Sequence, residues 1–178
     1  MKIASGPFLF LDLARQCGWA EGEPGGEVAH GSVALAPQGA GQGAVFDGLD
    51  RWLRSRLAGD SYAVLAYEAP RDPRHMKQTT LGTARMLLGL CAIAEAAGAR
   101  HRRITVQEHD VHAIRRFVLG RAATRGKGKD EVMWALRDAG FRPQDDNASD
   151  AIAGLLYTQE RARPGCTARH LPLLRGAS

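Results

Sequence analysis

Cysteine is scarce in this chain, and what there is does not pair. Cys17, Cys91 and Cys166 are the only three among 178 residues, far apart and without a Cys-x-x-Cys. An odd and scattered set excludes a disulfide framework and a zinc knuckle. The N-terminal residues lack a basic stretch followed by a long apolar core, so no secretory signal is expected. No apolar run is expected to approach a membrane span of ~20 residues. The Gly-rich segment from Pro37 to Gly43 is not followed by Gly-Lys-Ser/Thr, which excludes a phosphate-cradling loop of that kind. Internal repeats are missing too. These absences point to a cytosolic protein with reduced thiols.

The chain is long enough for one domain with a core that needs no covalent staples. Its formal net charge is +5 and its pI about 9.5. A modest basic excess permits nucleic acid as a partner without requiring it.

The most informative stretch is Pro7-Phe8-Leu9-Phe10-Leu11-Asp12. Five apolar residues in a row read as a strand buried on both faces. It ends on a carboxylate that needs a partner or a metal. Segments 17–21 and 27–36 read as two further strands of a meander, with Gly22, Pro24, Gly25 and Gly26 in the turn. Val45, Phe46, Leu49, Trp52, Leu53 and Leu57 fall at helical spacing. Segment 62–67 is another buried strand, and it too runs into an acid, Glu68. A long helix from about Gln78 to Ala97 and a fifth strand over 102–107 follow. Helices are expected over 110–119 and 130–139, with a basic Gly/Lys/Arg loop from Arg121 to Lys129 between them. Phe117 and Trp134 are expected in the core. A last helix starts near Asp145 and runs through Tyr157. The domain is expected to span 1–162, with 163–178 as a basic, poorly packed tail. The pattern is α/β: a central mixed five-stranded sheet flanked by helices on both faces.

Carboxylates cluster in this arrangement. If the strands ending in Asp12 and Glu68 are neighbours, both acids emerge at one edge. The last helix adds Asp146, Asn147 and Asp150, three and four residues apart and therefore on one face. Asp145, and in part Asp146, is explained by helix capping and the helix dipole. Asp150 lies inside the helix, where Asp is a weak former. Two like charges about 4 Å apart cost roughly 4 kcal/mol at an effective dielectric of 20. A divalent cation relieves that repulsion, and oxygen ligands suit Mg²⁺ or Mn²⁺.

These pieces resemble the RuvC family of Holliday-junction resolvases, within the ribonuclease H-like superfamily. The matching residues are Phe10-Leu11-Asp12-Leu13-Ala14 with Gly18-Trp19-Ala20, Tyr67-Glu68-Ala69-Pro70, and Asp146-Asn147-Ala148-Ser149-Asp150-Ala151. A weaker match runs from Val111 to Val132. The style is closer to phage or prophage members, because the first loop lacks the Asp-Pro-Gly of the housekeeping enzyme. The resemblance implies a ribonuclease H-like fold. It implies a homodimer that nicks opposed strands of a four-way DNA junction with Mg²⁺ or Mn²⁺, two ions per site, in a bacterial or phage-infected cytoplasm. It implies that Asp12 bridges the metals, that Glu68 and Asp150 ligate, and that Lys129 lies near the scissile phosphate. The family's fourth acid is replaced by Asn147, so that seat falls to the Asn147 amide or to Asp146.

Between Arg100 and Lys129 the chain carries nine cations against Glu108 and Asp110. Such a run is a solvated face by default. Beside the acids, Arg115, Arg116, Arg121, Arg125, Lys127 and Lys129 are candidates to bind phosphates. His109 and His112 are candidates for proton transfer. Two alternatives remain open from the residues, a non-catalytic or weakly catalytic branched-DNA binder of the same fold and an RNA-processing nuclease; a third class is an actin-like ATPase or sugar kinase domain. The last requires a duplicated domain and Gly-rich phosphate loops, neither of which is present.

Overall fold

A computed structural model describes residues 5–59, 61–70, 80–168 and 170–171. Five strands form one sheet: β1 (Phe8–Asp12), β2 (Gln16–Gly22), β3 (Ala29–Ala34), β4 (Val64–Glu68) and β5 (Thr105–His109), in the order β3-β2-β1-β4-β5. β1, β2 and β3 pair antiparallel as a meander, whereas β4 runs parallel to β1 and β5 parallel to β4. The mixed five-stranded sheet read from the sequence is therefore the sheet observed.

Side chains alternate across the pleat and build two cores. Phe8 and Phe10 pack with Val64 and Ala66 against α3 (Val111–Leu119), α4 (Gly128–Asp138) and α5 (Asp146–Ala162). Leu9 and Leu11 pack with Leu65 and Tyr67 against α1 (Gln42–Arg56) and α2 (Leu81–Ala99). Each of these β1 side chains is essentially fully buried, contributing roughly 1.5–3 kcal/mol apiece. That is why β1 reads as continuous rather than alternating.

Several expectations are corrected. β5 begins at Thr105 rather than Arg102, because residues 98–104 turn through His101 N–H to Gly98 O and Ile104 N–H to His101 O. Lys129 is not in a loop: α4 already starts at Gly128. Trp134 is not core. It points outward from α4 and is 69% exposed, while Val132 and Leu136 take the buried stripe. Phe117 is half-buried and packs edge-on to Tyr157. α2 is long and apolar enough to cross a membrane by length and composition alone, contrary to the expectation. Here its Leu90, Ala94 and Ala97 are buried in the second core, and Leu81 and Leu88 are exposed. The described residues after 162 include packed ones. Glu160 accepts from Gly165 N–H and from the Thr167 amide and hydroxyl, and Thr167 and Leu171 are buried. Residues 172–178 of the expected tail lie outside the described residues, as do residues 78–79, where α2 was expected to begin.

Candidate active site

Sheet register sets the site. Leu11 pairs with Tyr67, so Asp12 stands one residue further along, level with Glu68. Asp12 pairs with Gly18 on its other side, and Glu68 with His109. Gly18, Asp12, Glu68 and His109 thus form one row across four strands, at the end where parallel β1 and β4 terminate. By alternation, Asp12 and Glu68 share the face of Phe10 and Ala66, the face covered by α5.

α5 brings Asp150 to this row, and two glycines permit its approach. A Cβ on Gly18 would overlap the main-chain carbonyl of Asn147, and one on Gly154 would overlap the Phe10 ring. The start of α5 is pinned by Asp145, whose Oδ1 accepts from Ala148 N–H at 2.8 Å and from Ser32 Oγ at 2.6 Å. Asp145 is therefore the helix cap. Asp146 follows in the first turn and is exposed, whereas Asn147 and Asp150 are half-buried.

The acids act on one another. The Asp12 carboxyl is pushed up to about 7, first by burial and then by the charges of Asp150 and Glu68. Burial also raises Asp150, and there Lys129 and Arg115 pull the other way. Lys129 Nζ lies 3.4 Å from Asp150 Oδ2. Arg115 bears on both Asp12 and Asp150, and its Nε is buried without a hydrogen-bond partner. The sequence reading placed Arg115 among DNA-contacting residues and missed that it faces the acids. A signal exists: Val111, Ile114 and Val118 are the buried stripe of α3, and Arg115 sits within it at helical spacing.

The other candidates are placed as follows. Arg116, Arg125 and Lys127 are exposed. Arg121 is tied to Glu131 at 3.0 Å. His109 is buried between Phe10 and Tyr157, stacked on the first and edge-on to the second. Burial, with a further push from Arg161, lowers it to about 4, so it is neutral near pH 7. His112 is exposed on α3.

Asp12, Glu68 and Asp150 offer only carboxylate oxygens, and Asn147 an amide oxygen. This donor set fits a hard divalent cation rather than zinc. Among the described residues no three His, Cys, Asp or Glu side chains are gathered tightly enough to hold an ion as they stand. The fit rests on the donor chemistry and on the burial and neighbouring acids that together raise Asp12.

No protein-family model matches the chain, and no curated protein does. Solved structures do. The RuvC structure from Thermus thermophilus is 16% identical, with a TM-score of 0.60 over 89% of this chain and 98% of that one. T. thermophilus RuvC in complex with a Holliday junction substrate is 15% identical, with a TM-score of 0.66 over the same shares. The yeast mitochondrial Holliday junction resolvase Ydc2 is 11% identical, with a TM-score of 0.57 over 99% of this chain and 83% of that one. The likeness is one of fold: this chain has the ribonuclease H-like architecture of those resolvases.

Proposed function

We propose that the chain is a metal-dependent, structure-selective DNA endonuclease that resolves four-way junctions by paired phosphodiester hydrolysis in opposed strands. The observation that carries this reading is Asp12. It is a mostly buried acid held at about 7, first by burial and then by the charges of Asp150 and Glu68, on a fold shared with junction resolvases. A site that raises its own acids invites a divalent cation, and a basic surface alone would need no such site.

In this reading Asp12, Glu68 and Asp150 would hold two Mg²⁺ or Mn²⁺ ions, with Asn147 or Asp146 in the fourth position. Ions so held supply an activated water and stabilise the leaving oxygen. Lys129 and Arg115 place two positive charges beside the acids, where they hold the scissile phosphate and offset the charge that develops on it. Arg116, Arg125 and Lys127 contact flanking phosphates. Two active sites are needed for two opposed nicks, and exposed Leu81 and Leu88 give α2 an apolar stripe on which a second copy packs.

The test is incubation of mobile four-way junctions with Mg²⁺ or Mn²⁺. Paired, symmetric nicks that disappear with Asp12→Asn, while junction binding persists, support the reading. Binding without nicking across a range of salt concentrations supports the second reading, a non-catalytic junction binder of the same fold. The uncharged Asn147 in place of a fourth acid is the observation that favours that second reading. Faster cleavage of RNA duplexes than of DNA junctions would move the substrate to RNA.

A further inference from the structure

The two site cations share one support. Lys129 belongs to the first turn of α4, and Gly128 in the same turn packs against Arg115, whose Nη1 would lie 3.1 Å from a Cβ at that position. Whatever fixes this turn fixes both charges. The turn receives no help from its own cap: Lys127 is the N-cap residue and makes no side-chain capping bond. The preceding segment turns at Gly120 and Gly126, both at positive φ, where glycine carries no steric penalty.

Glu131 supplies the missing constraint. Its carboxylate accepts from Thr124 N–H at 2.9 Å, from Thr124 Oγ1 at 2.6 Å and from Arg121 Nη2 at 3.0 Å. Thr124 O in turn accepts from Lys127 N–H at 3.0 Å, and Lys127 O from Glu131 N–H at 3.0 Å, closing a ring of bonds around the helix start. These donors hold the Glu131 carboxyl down at about 2, the Thr124 hydroxyl first among them, so it stays ionised across working pH. Charge-assisted bonds of this kind are about twice as strong as neutral ones.

We infer that Glu131 is a positioning residue, which clamps the loop of residues 121–127 onto the first turn of α4 and thereby holds Lys129 and Arg115 against the carboxylates. Glu131 faces the loop rather than the acids, and acts only through the cations. It also neutralises Arg121, which removes that arginine from the set free to contact phosphate. The inference rests on the nuclease reading for its effect on cleavage, but the clamp itself is a property of the folded chain.

The test compares the full chain with Glu131→Ala and Glu131→Gln by two routes. Amide hydrogen exchange over residues 121–132 is expected to quicken by about tenfold or more in Glu131→Ala, with the β1 and α5 amides unchanged. Single-turnover nicking of a four-way junction by excess enzyme is expected to fall ~10- to 100-fold, the scale of a small misplacement of site groups. Junction affinity should change by less than about threefold, and Glu131→Gln, which keeps an acceptor for Thr124, should retain part of the rate. In a Lys129→Ala background the same substitution should cost less than it does in the wild-type chain, because one of the two cations it positions is already gone. Unchanged exchange in both variants overturns the clamp, and an equal loss of rate with and without Lys129 overturns its action through that cation. A wild-type chain that nicks no branched DNA defeats the nuclease reading instead, and the exchange comparison still decides whether the clamp exists.

Discussion

Gly18 and Asn147 meet backbone to backbone: the Cα of Gly18 lies so close to the Asn147 carbonyl that no side chain fits between them. Gly18 is also the sheet partner of Asp12. One glycine therefore sets the separation between the strand that carries the first acid and the helix that carries the last.

Gly18→Ala is expected to push the start of α5 away from β2. Overpacking of this kind costs roughly 1–3 kcal/mol, and here it also withdraws Asp150 from Asp12. The unfolding free energy from denaturant titration should fall by that amount, and metal-dependent nicking should fall further than stability explains. Wild-type cleavage at the wild-type midpoint would show that the contact has room to relax.

Asp12 gives a pH signature. It is an acid whose folded-state value, about 7, lies above its ordinary 3.8. Between those values the folded chain keeps a proton that the unfolded chain has released, so this group's contribution worsens as pH rises through that window. With divalent metal chelated, Asp12→Asn is expected to be more stable than wild type at pH 8, by on the order of a few kcal/mol. The gap should narrow towards pH 4 and close below it, as the unfolded-state carboxyl also takes up its proton. Melting curves from pH 4 to 8 measure it, and added Mn²⁺ should raise the wild-type melting temperature and leave Asp12→Asn unmoved. Curves that coincide at every pH would contradict the assigned burial.

Asn147→Asp restores a negative charge three residues before Asp150. If Asn147 is a ligand, the variant should cleave at least as fast as wild type and reach half-maximal rate at a lower Mg²⁺ concentration. Metal titrations of the nicking rate read this directly. A sharp loss in a folded variant would assign the fourth position to Asp146.

Leu81 and Leu88 lie two turns apart on α2, on one stripe. If a second copy packs on this stripe as proposed, Leu88→Glu is expected to yield monomers that keep their fold, because the side chain is already half exposed. Sedimentation measures the change, and nicking should become single rather than paired. A wild-type chain that sediments as a monomer would remove the dimer from the proposal.

Local pattern made much of this fold legible. Residues 8–12 and 64–68 are short apolar runs ending in acids, and such runs leave little choice but buried parallel neighbours. Helix starts were legible where a side chain caps them, as Asp110 and Asp145 do. α4 was misjudged because its start has no capping side chain of its own and depends on Glu131, a contact between the loop and a residue already inside the helix. Trp134 was misjudged because size suggested burial, while the helical phase set by Val132 and Leu136 turns it outward. Of the site, the acids showed through spacing. The inward turn of Arg115 and the meeting of Gly18 with Asn147 depend on how α3 and α5 pack, and no single segment encodes that.

The order of the elements has a consequence during synthesis. Asp12 lies on the first strand of the fold and Asp150 on its last helix, and α5 covers β1 only once every other element has been made. A ribosome-bound chain that has released β1 and β4 carries two of the three acids, and lacks the third and the packing that buries them. If the chain cuts DNA as proposed, cutting competence therefore arrives only once α5 has been made, and shorter nascent chains would lack it.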